Sequence, residues 1–352
     1  MSKPGSRWPA KDLEYIPNCP VCGKADRRLL HAGLTDRVFG VAPGKWELYL
    51  CNSCESGWLD PRPTVASIGV AYASYYTHEV GDHPIVRRKG LVRAFLHDCM
   101  NDYRNTRYGL ARLPANRLGR WLIYLLPSIR AAVDSQCRHL PPVPDKGGRV
   151  LDVGFGNGGF LRIASEAGWE AQGIDFDPRA VELAAAAGLN VREGGVEQLS
   201  GMPDEYFDVI TLCHVIEHVH QPVQLISELF RLLKPGGILW LDTPNLSSYG
   251  HLRFGRHWRD LDPPRHLVLL NIESLHQMLN TAGFVKIVQR WRGLSVFDVL
   301  PVSEALASGG DPNKASRNGK PRLNDLIVEF RQMLLKRERE FLTFIAEKPE
   351  NQ

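Results

Sequence analysis

The segment Val150-Leu-Asp152-Val-Gly154-Phe-Gly156-Asn-Gly158-Gly159-Phe160 constrains this chain more than any other. It reads as a short buried strand running into a glycine-rich turn and then a helix. Glycines there let the backbone take up conformations closed to other residues and come close to a ligand. From Arg149 onward, apolar strand-like runs alternate with helical stretches, the signature of a parallel α/β sheet. The predicted strands are Val150–Val153, Ala171–Ile174, Phe207–Leu212 and Ile238–Leu241, followed by one near Val285–Gln289 and a last one at Phe341–Ala346. A helix is predicted over Ile272–Ala282 and a Gly-, Asn- and Lys-rich loop around 308–320.

What the glycine turn holds depends on charge. Gly154, Gly156 and Gly159 fit the dinucleotide pattern Gly-x-Gly-x-x-Gly, so NAD is one reading. Asp152, at the end of the first strand, would repel a pyrophosphate but attract the ammonium and sulfonium groups of S-adenosylmethionine. Asp175 ends the second strand about twenty residues later, where a carboxylate accepts hydrogen bonds from ribose hydroxyls in either cofactor. Phe176 follows it and offers a face for adenine, or a core contact.

Four stretches then make a resemblance specific. LDVGFGNG, GIDFDP, FDVITLCHVIEHV and RLLKPGGILWLDTPN, in this order and spacing, resemble the class I S-adenosylmethionine-dependent methyltransferases over about residues 148–290. The final FLTFIAEKP resembles that family's antiparallel seventh strand. The resemblance implies an α/β fold with a doubly wound, seven-stranded, Rossmann-like sheet and one reversed strand. It also implies that Asp152, Gly154, Gly156 and Gly158 bind the methionine end, Asp175 the ribose and Phe176 the adenine. Val196, in the turn Gly194-Gly195-Val196-Glu197, takes the family's other adenine-contacting position, without the acidic residue often found there. Pro235-Gly236-Gly237 is expected to make a tight helix-to-strand turn.

Methyl transfer from a sulfonium needs an acceptor in line with the S–CH₃ bond and, for a hydroxyl, a group that takes its proton. His214, Glu217 and His218 are spaced i, i+3, i+4, as on one face of a helix. They resemble the Glu-x-x-Glu-His divalent-metal site of the ubiquinone-pathway O-methyltransferases, with His214 in place of the first Glu, which implies a Mg²⁺-type site; His214 also borders the cofactor pocket. The other readings are a zinc-peptidase motif and a helix cap. After the fifth strand, Asp260-Leu-Asp262-Pro-Pro-Arg265-His266 resembles the segment that carries a histidine over the acceptor in sugar and lipid methyltransferases. His266 is the first candidate for general base, since neutral imidazole suits that task at pH 7. His251 and His257 are secondary candidates, and Trp258 a candidate pocket wall.

Seven cysteines is an odd count, and four form the pairs Cys19-x-x-Cys22 and Cys51-x-x-Cys54. Four thiolates suit tetrahedral zinc, so residues 1–62 read as a zinc-ribbon-like module, whose loss of metal is expected to leave the cofactor site competent. Residues 63–147 read as a basic helical connector, with Leu91, Phe95 and Leu96 on one helical face. Residues 148–352 form the S-adenosylmethionine-binding domain, with an acceptor-side insertion at about 246–266. Between 85 and 140 there are eleven Arg and Lys against three Asp, although the net charge is only +4. Such a stripe serves phosphates of a small substrate, a nucleic acid or a membrane surface, or is merely solvated.

Similar cysteine pairs precede a methyltransferase in NDP-sugar and polysaccharide enzymes, where stretches like Trp58-Leu-Asp-Pro-Arg-Pro and Tyr75-Tyr76-Thr-His78 also occur, and in some rRNA enzymes. The first setting implies a sugar or glycan-pathway acceptor, nucleotide-linked or lipid-linked. An rRNA or tRNA acceptor and a non-catalytic scaffold stand as alternatives. No apolar run is long enough to span a membrane, and the start MSKPGSRWPAKD lacks the apolar core of a signal peptide, so the cytoplasm is the expected compartment, with peripheral membrane contact left open.

Overall fold

A computed structural model describes residues 7–72, 90–315 and 322–350. Tyr75, Tyr76, His78, residues 85–89 of the basic stretch and part of the 308–320 loop lie outside them. The N-terminal module contains an antiparallel meander, β1 (Arg27–Leu34), β2 (Trp46–Cys51) and β3 (Gly57–Leu59). In β2, Trp46, Leu48 and Leu50 alternate with Glu47 and Tyr49, so one pleat face is buried. Gly23, at φ 74°, closes the first cysteine knuckle through an N–H bond to the Cys19 carbonyl at 2.9 Å.

The connector is helical, as expected: α1 (Leu91–Tyr108), α2 (Gly119–Tyr124) and α3 (Pro127–Gln136). Its packed face is not the expected one. Leu91 and Phe95 are exposed, and burial begins at Cys99, Met100 and Tyr103. The reason is Gly119, so close to Cys99 that a Cβ there would meet its Cα at 2.4 Å; α2 therefore covers the second half of α1. Nor is the basic stretch simply a solvated face. Arg104 and Arg138 are buried, and Arg112 and Arg120 pair with Glu166 and Asp102.

The large sheet is built from β4 (Arg149–Val153), β5 (Glu170–Asp175), β6 (Asn190–Glu193), β7 (Phe207–Cys213), β8 (Leu233–Pro244), β10 (Val285–Arg290) and β11 (Phe341–Glu347). Between β8 and β10 lies the two-residue strand β9 (Val268–Leu269). Helices α4 (Gly159–Glu166), α5 (Pro178–Ala186), α6 (Pro222–Leu232) and α7 (Ile272–Thr281) provide crossovers, and α8 (Val296–Ser308) and α9 (Leu323–Leu334) precede β11. The strand order is β10-β11-β8-β7-β4-β5-β6, with β11 antiparallel to both its neighbours. This is the expected seven-stranded sheet with one reversed strand. A nicotinamide-binding sheet in the order 3-2-1-4-5-6 has no reversed strand between its fifth and sixth. Strand β6 was not drawn from sequence: Asn190-Val-Arg-Glu is a short polar edge with no buried residue. The Pro235-Gly236-Gly237 turn is absorbed into an irregular start of β8, whose register shifts between Leu233 and Ile238.

The N-terminal module is not separately packed. Strand β9, from the insertion side of the large domain, pairs antiparallel with β3 to give a four-stranded sheet in the order β9-β3-β2-β1. The Leu59 N–H donates to the Leu267 carbonyl at 3.1 Å, and Asn271 Nδ2 donates to the carbonyls of Cys54 and Glu55. Cys19, Cys51 and Trp58 share one apolar core with Leu151, Leu212 and Leu241. A boundary at residue 62 therefore divides the sequence but not the packing.

Arg265 fastens this junction. Its guanidinium is fully buried and reaches Asp36 at 2.6 and 3.1 Å, Asp262 at 2.6 and 2.9 Å and the Ala71 carbonyl at 3.0 Å. Burial would raise the Asp36 pKa, but the bonds from Arg265 outweigh it and hold the carboxyl below its ordinary value. Arg265→Met leaves two buried carboxylates unpaired and is expected to cost about 3–5 kcal/mol in urea denaturation. Because the folded-state pKa of Asp36 is depressed, its contribution is complete above the ordinary carboxylate range and fades as pH falls through the folded value. Melting temperatures of the wild type should therefore drop below about pH 4, and Arg265→Met should flatten that slope.

Candidate active site

The glycine turn joins β4 to α4, and all three of its inner glycines need the left-handed region: φ is 70° at Gly154, 57° at Gly156 and 71° at Gly158. At Gly154 a Cβ would strike Val215 at 2.4 Å, whereas at Gly156 it would enter open space. The Gly156 N–H donates to Asp175 Oδ2 at 2.8 Å, and the Asp177 N–H to Oδ1 at 3.0 Å. Phe176 stands beside them, about half exposed, with the edge of its ring toward Tyr72 at 5.2 Å. Val196 opens the short helix Val196–Leu199, just past Gly194, whose N–H bonds the Asp175 carbonyl. The expected cofactor residues thus line the carboxyl ends of β4, β5 and β6, where open α/β sheets bind ligands. The space over Gly156 is open and bordered by the Asp175 carboxylate.

Asp152 has a partner that sequence reasoning missed. Its carboxylate is fully buried and accepts hydrogen bonds from Arg138 and from Thr211 Oγ1, the latter at 3.0 Å. Arg138 lies just past α3, packed on Phe160 at 4.1 Å from ring centroid to guanidinium. The Asp152 charge is therefore compensated from within, and its pull on a sulfonium is smaller than a bare carboxylate's. Burial still raises its pKa, and Oδ2 has no hydrogen-bond partner among the described residues.

The histidine set divides in a way its spacing did not indicate. His214 has φ 55° and its N–H bonds the Asp242 carbonyl, so it ends β7 instead of starting a helix. Ile216–His218 is a single 3-10 turn, pinned by the Leu267 N–H on the Glu217 carbonyl at 2.7 Å. Both ring nitrogens of His214 are engaged: Nδ1–H donates to Glu217 Oε1 at 3.1 Å and Nε2 accepts from Arg292 at 2.7 Å. His214 therefore orients Glu217, and its ring also lies within 4.8 Å of ligand atoms of Cys213 and Asp242. Arg292 also pairs with Asp242. Glu217 takes a second hydrogen bond from Thr243 at 2.8 Å. Burial would raise its pKa, but the His214 bond outweighs it and the carboxyl is held down to about 2.

His266 takes the place expected of His214. It is brought from the insertion to within a ring separation of 4.7 Å from His218. Glu217, His218 and His266 each offer a ligand atom within 4.8 Å of the other two. The Nδ1–H of His218 donates to the Arg265 carbonyl at 3.0 Å, and that of His266 to the Asp260 carbonyl at 2.7 Å. A carbonyl only accepts, so both rings keep the lone pair on Nε2. Burial, reinforced by His266, pushes the His218 pKa down to about 4, so it is neutral at pH 7. The Tyr72 hydroxyl lies 3.0 Å from His218 Nδ1, which links the histidines to Phe176 through one N-terminal side chain.

Comparison with other proteins agrees with this geometry. Residues 128–289 match the family model described as "Methyltransferase domain". They are a class I methyltransferase domain. A probable S-adenosylmethionine-dependent methyltransferase of Mycolicibacterium smegmatis is 33% identical over 138 residues, 38% of this chain and 51% of that protein. A ubiquinone biosynthesis O-methyltransferase of Xanthomonas oryzae pv. oryzae is 38% identical over 105 residues, 28% of this chain and 44% of that protein. The chain spans about half the length of the curated relatives it matches. Among solved structures, a SAM-dependent methyltransferase from Archaeoglobus fulgidus aligns with a TM-score of 0.44 at 21% identity, covering 64% of this chain and 99% of that one.

Outside the methyltransferase domain, the four cysteines come together as expected, each sulfur within 4.8 Å of the other three. Cys19–Cys54 and Cys22–Cys51 sulfurs are 3.6 and 3.5 Å apart. That is too long for a disulfide bond of about 2.0 Å, and near the tetrahedral edge of about 3.8 Å set by Zn–S bonds of about 2.3 Å. The hydrogen bond from Cys19 holds the Cys54 pKa down to about 5, so one thiolate is ready for a cation. His251 and His257 are occupied elsewhere, on His31 at 2.9 Å and Arg37 at 2.8 Å. Trp258 is buried and lies in the core. Elemental analysis should find one zinc per chain at this site. Because β9 of the large domain completes the module's sheet, chelation is expected to lower the single unfolding midpoint of the whole chain by roughly 5 °C or more. Loosening of residues 1–62 alone, with the cofactor site left competent, would instead give a separate transition; differential scanning calorimetry separates the two outcomes.

Proposed function

We propose that the chain transfers a methyl group from S-adenosylmethionine to a hydroxyl of a small-molecule acceptor, with His266 as the base. The observation that carries this reading is the pair His218 and His266, tied through Nδ1 to backbone carbonyls and set beyond the carboxyl ends of β7 and β8, on the same sheet edge as the glycine turn. When bound, S-adenosylmethionine supplies an electrophilic methyl on a sulfonium. Gly154, Gly156 and Gly158 would admit its methionine end, Asp175 its ribose, and Phe176 and Val196 its adenine. Asp152 and Arg138 stiffen the base of that site.

His266 Nε2 would take the proton of the acceptor hydroxyl as that oxygen is methylated, and the proton would then pass from the imidazolium to water. Tethering at Nδ1 keeps the ring in the one tautomer able to do this. Glu217, ionised and adjacent, stabilises the imidazolium that forms.

A small molecule is favoured over RNA because four of the connector's arginines are buried or paired, which leaves less cationic surface for a nucleic acid backbone. We take the acceptor to be a sugar or glycan-pathway intermediate, on the likeness of the N-terminal cysteines and the Trp58 segment to sugar methyltransferases. The curated relatives named for ubiquinone biosynthesis support the small-molecule class only.

A second reading places a divalent metal on Glu217, His218 and His266, favoured by their mutual approach within 4.8 Å. Two imidazoles and one carboxylate suit a transition metal better than Mg²⁺, which prefers oxygen donors. Labelled S-adenosylmethionine with a panel of nucleotide sugars and lipid-linked glycans tests the acceptor. His266→Ala is expected to cut turnover by roughly 10²–10⁴ while leaving cofactor affinity nearly unchanged. Full activity in that variant sinks the base assignment, and a second metal per chain, lost in Glu217→Ala together with activity, favours the metal.

A further inference from the structure

Leu30 of β1, Leu50 of β2, Leu246 after β8, Leu252, Leu334 at the end of α9 and Leu335 just past it face one groove of about 720 Å³. That volume is ordinary for a small-molecule site. Leucines from five separate stretches converge there, and Leu252 and Leu334 stay 69% and 62% exposed. The groove continues outward along α9, where Leu323, Leu326, Ile327, Phe330 and Leu334 recur at i, i+3, i+4, i+7 and i+11 and face solvent, while Glu329 and Gln332 of the same helix are buried. An amphipathic helix normally turns that stripe inward. Here it is left uncovered next to a greasy groove.

The polar groups around the groove divide by depth. His251, on its wall, donates through Nδ1 to the Leu246 carbonyl and shares Nε2 with His31. At the rim, Glu338 is neutralised by Arg331 and Glu55 by Arg337. Lys336 has no acidic partner among the described residues, so the mouth is left with one uncompensated cation. Protein-binding patches are anchored by tyrosine, tryptophan and arginine. Aliphatic walls with a single cation at the mouth match an alkyl chain with an anionic head.

We propose that this groove binds a single-chain anionic amphiphile, with its aliphatic tail among the leucines and its phosphate head on Lys336. The site is distinct from the cluster of Glu217, His218 and His266, and the proposal does not depend on the methyl-transfer reading.

The test is calorimetric titration of the full chain, with zinc loaded, using octyl, decyl and dodecyl phosphate below their critical micelle concentrations. Affinity is expected to rise about tenfold for each two methylenes, because each buried CH₂ contributes a near-constant increment. Inorganic phosphate alone should not bind measurably, and dodecyltrimethylammonium should bind at least about tenfold more weakly than dodecyl phosphate. Leu252→Asp and Leu334→Asp, both at exposed positions, should each weaken dodecyl phosphate by more than about tenfold, and Lys336→Glu should abolish the preference for the anionic head. S-adenosylmethionine affinity is measured in each variant and should not move. Affinity indifferent to chain length, or unaffected by both Leu substitutions, overturns the proposal. So does a dimer in sedimentation velocity that Leu334→Asp dissociates without any alkyl phosphate binding, since a second copy then owns the surface.

Discussion

The guanidinium of Arg265, buried between Asp36 and Asp262, is the contact on which the arrangement of the site depends. A cation removed from water this completely is tolerable only when its charge and hydrogen bonds are met from all sides. Asp36 belongs to the N-terminal module, Asp262 to the insertion, and the Ala71 carbonyl to the segment between them. The arginine thus brings together stretches more than two hundred residues apart. Its own carbonyl holds His218, and the next residue is His266. Displacement of Arg265 would therefore carry the candidate base with it.

Electrostatics in the site follow from burial as much as from charge. The two histidines are held in one tautomer by backbone carbonyls, and burial keeps His218 neutral. Glu217 stays ionised despite complete burial because His214 and Thr243 both donate to it. Arg292 and Asp242 set His214 in turn. Each group in this chain has one task, and the outermost members never need to touch a substrate to matter.

The methyltransferase domain accounts for residues 128–289, yet side chains outside that range enter the site. Tyr72 bridges Phe176 and His218, Asp36 anchors the His266 loop, and Arg292 lies just past the matched region. Strand β9 draws the cysteine module into the same fold. The N-terminal part of the chain thus places side chains beside His218 and the His266 loop, outside the residues matched by the family model.

Much of this was legible in the sequence, because local rules governed it. Strand–glycine–helix punctuation marked β4, Asp175 and the cofactor edge, since only glycine fits the φ values of the turn. Paired cysteines marked the four-sulfur cluster, since four thiolates at that spacing have few other uses. Other features had no local signal. The i, i+3, i+4 spacing of His214, Glu217 and His218 suggested one helical face, but the hydrogen bond that the His214 N–H donates to β8 holds it at the end of β7 and leaves the third place to His266. Arg138 looked like surface charge until the fold laid it on Asp152. Residues 1–62 looked separable until β9 completed their sheet. By itself the sequence determined the sheet, the glycine turn and the sulfur cluster, where the deciding constraints lie within a few neighbouring residues. Tertiary structure alone decided which histidines meet, which charges cancel and where one module ends, because those outcomes depend on contacts between residues far apart in the chain.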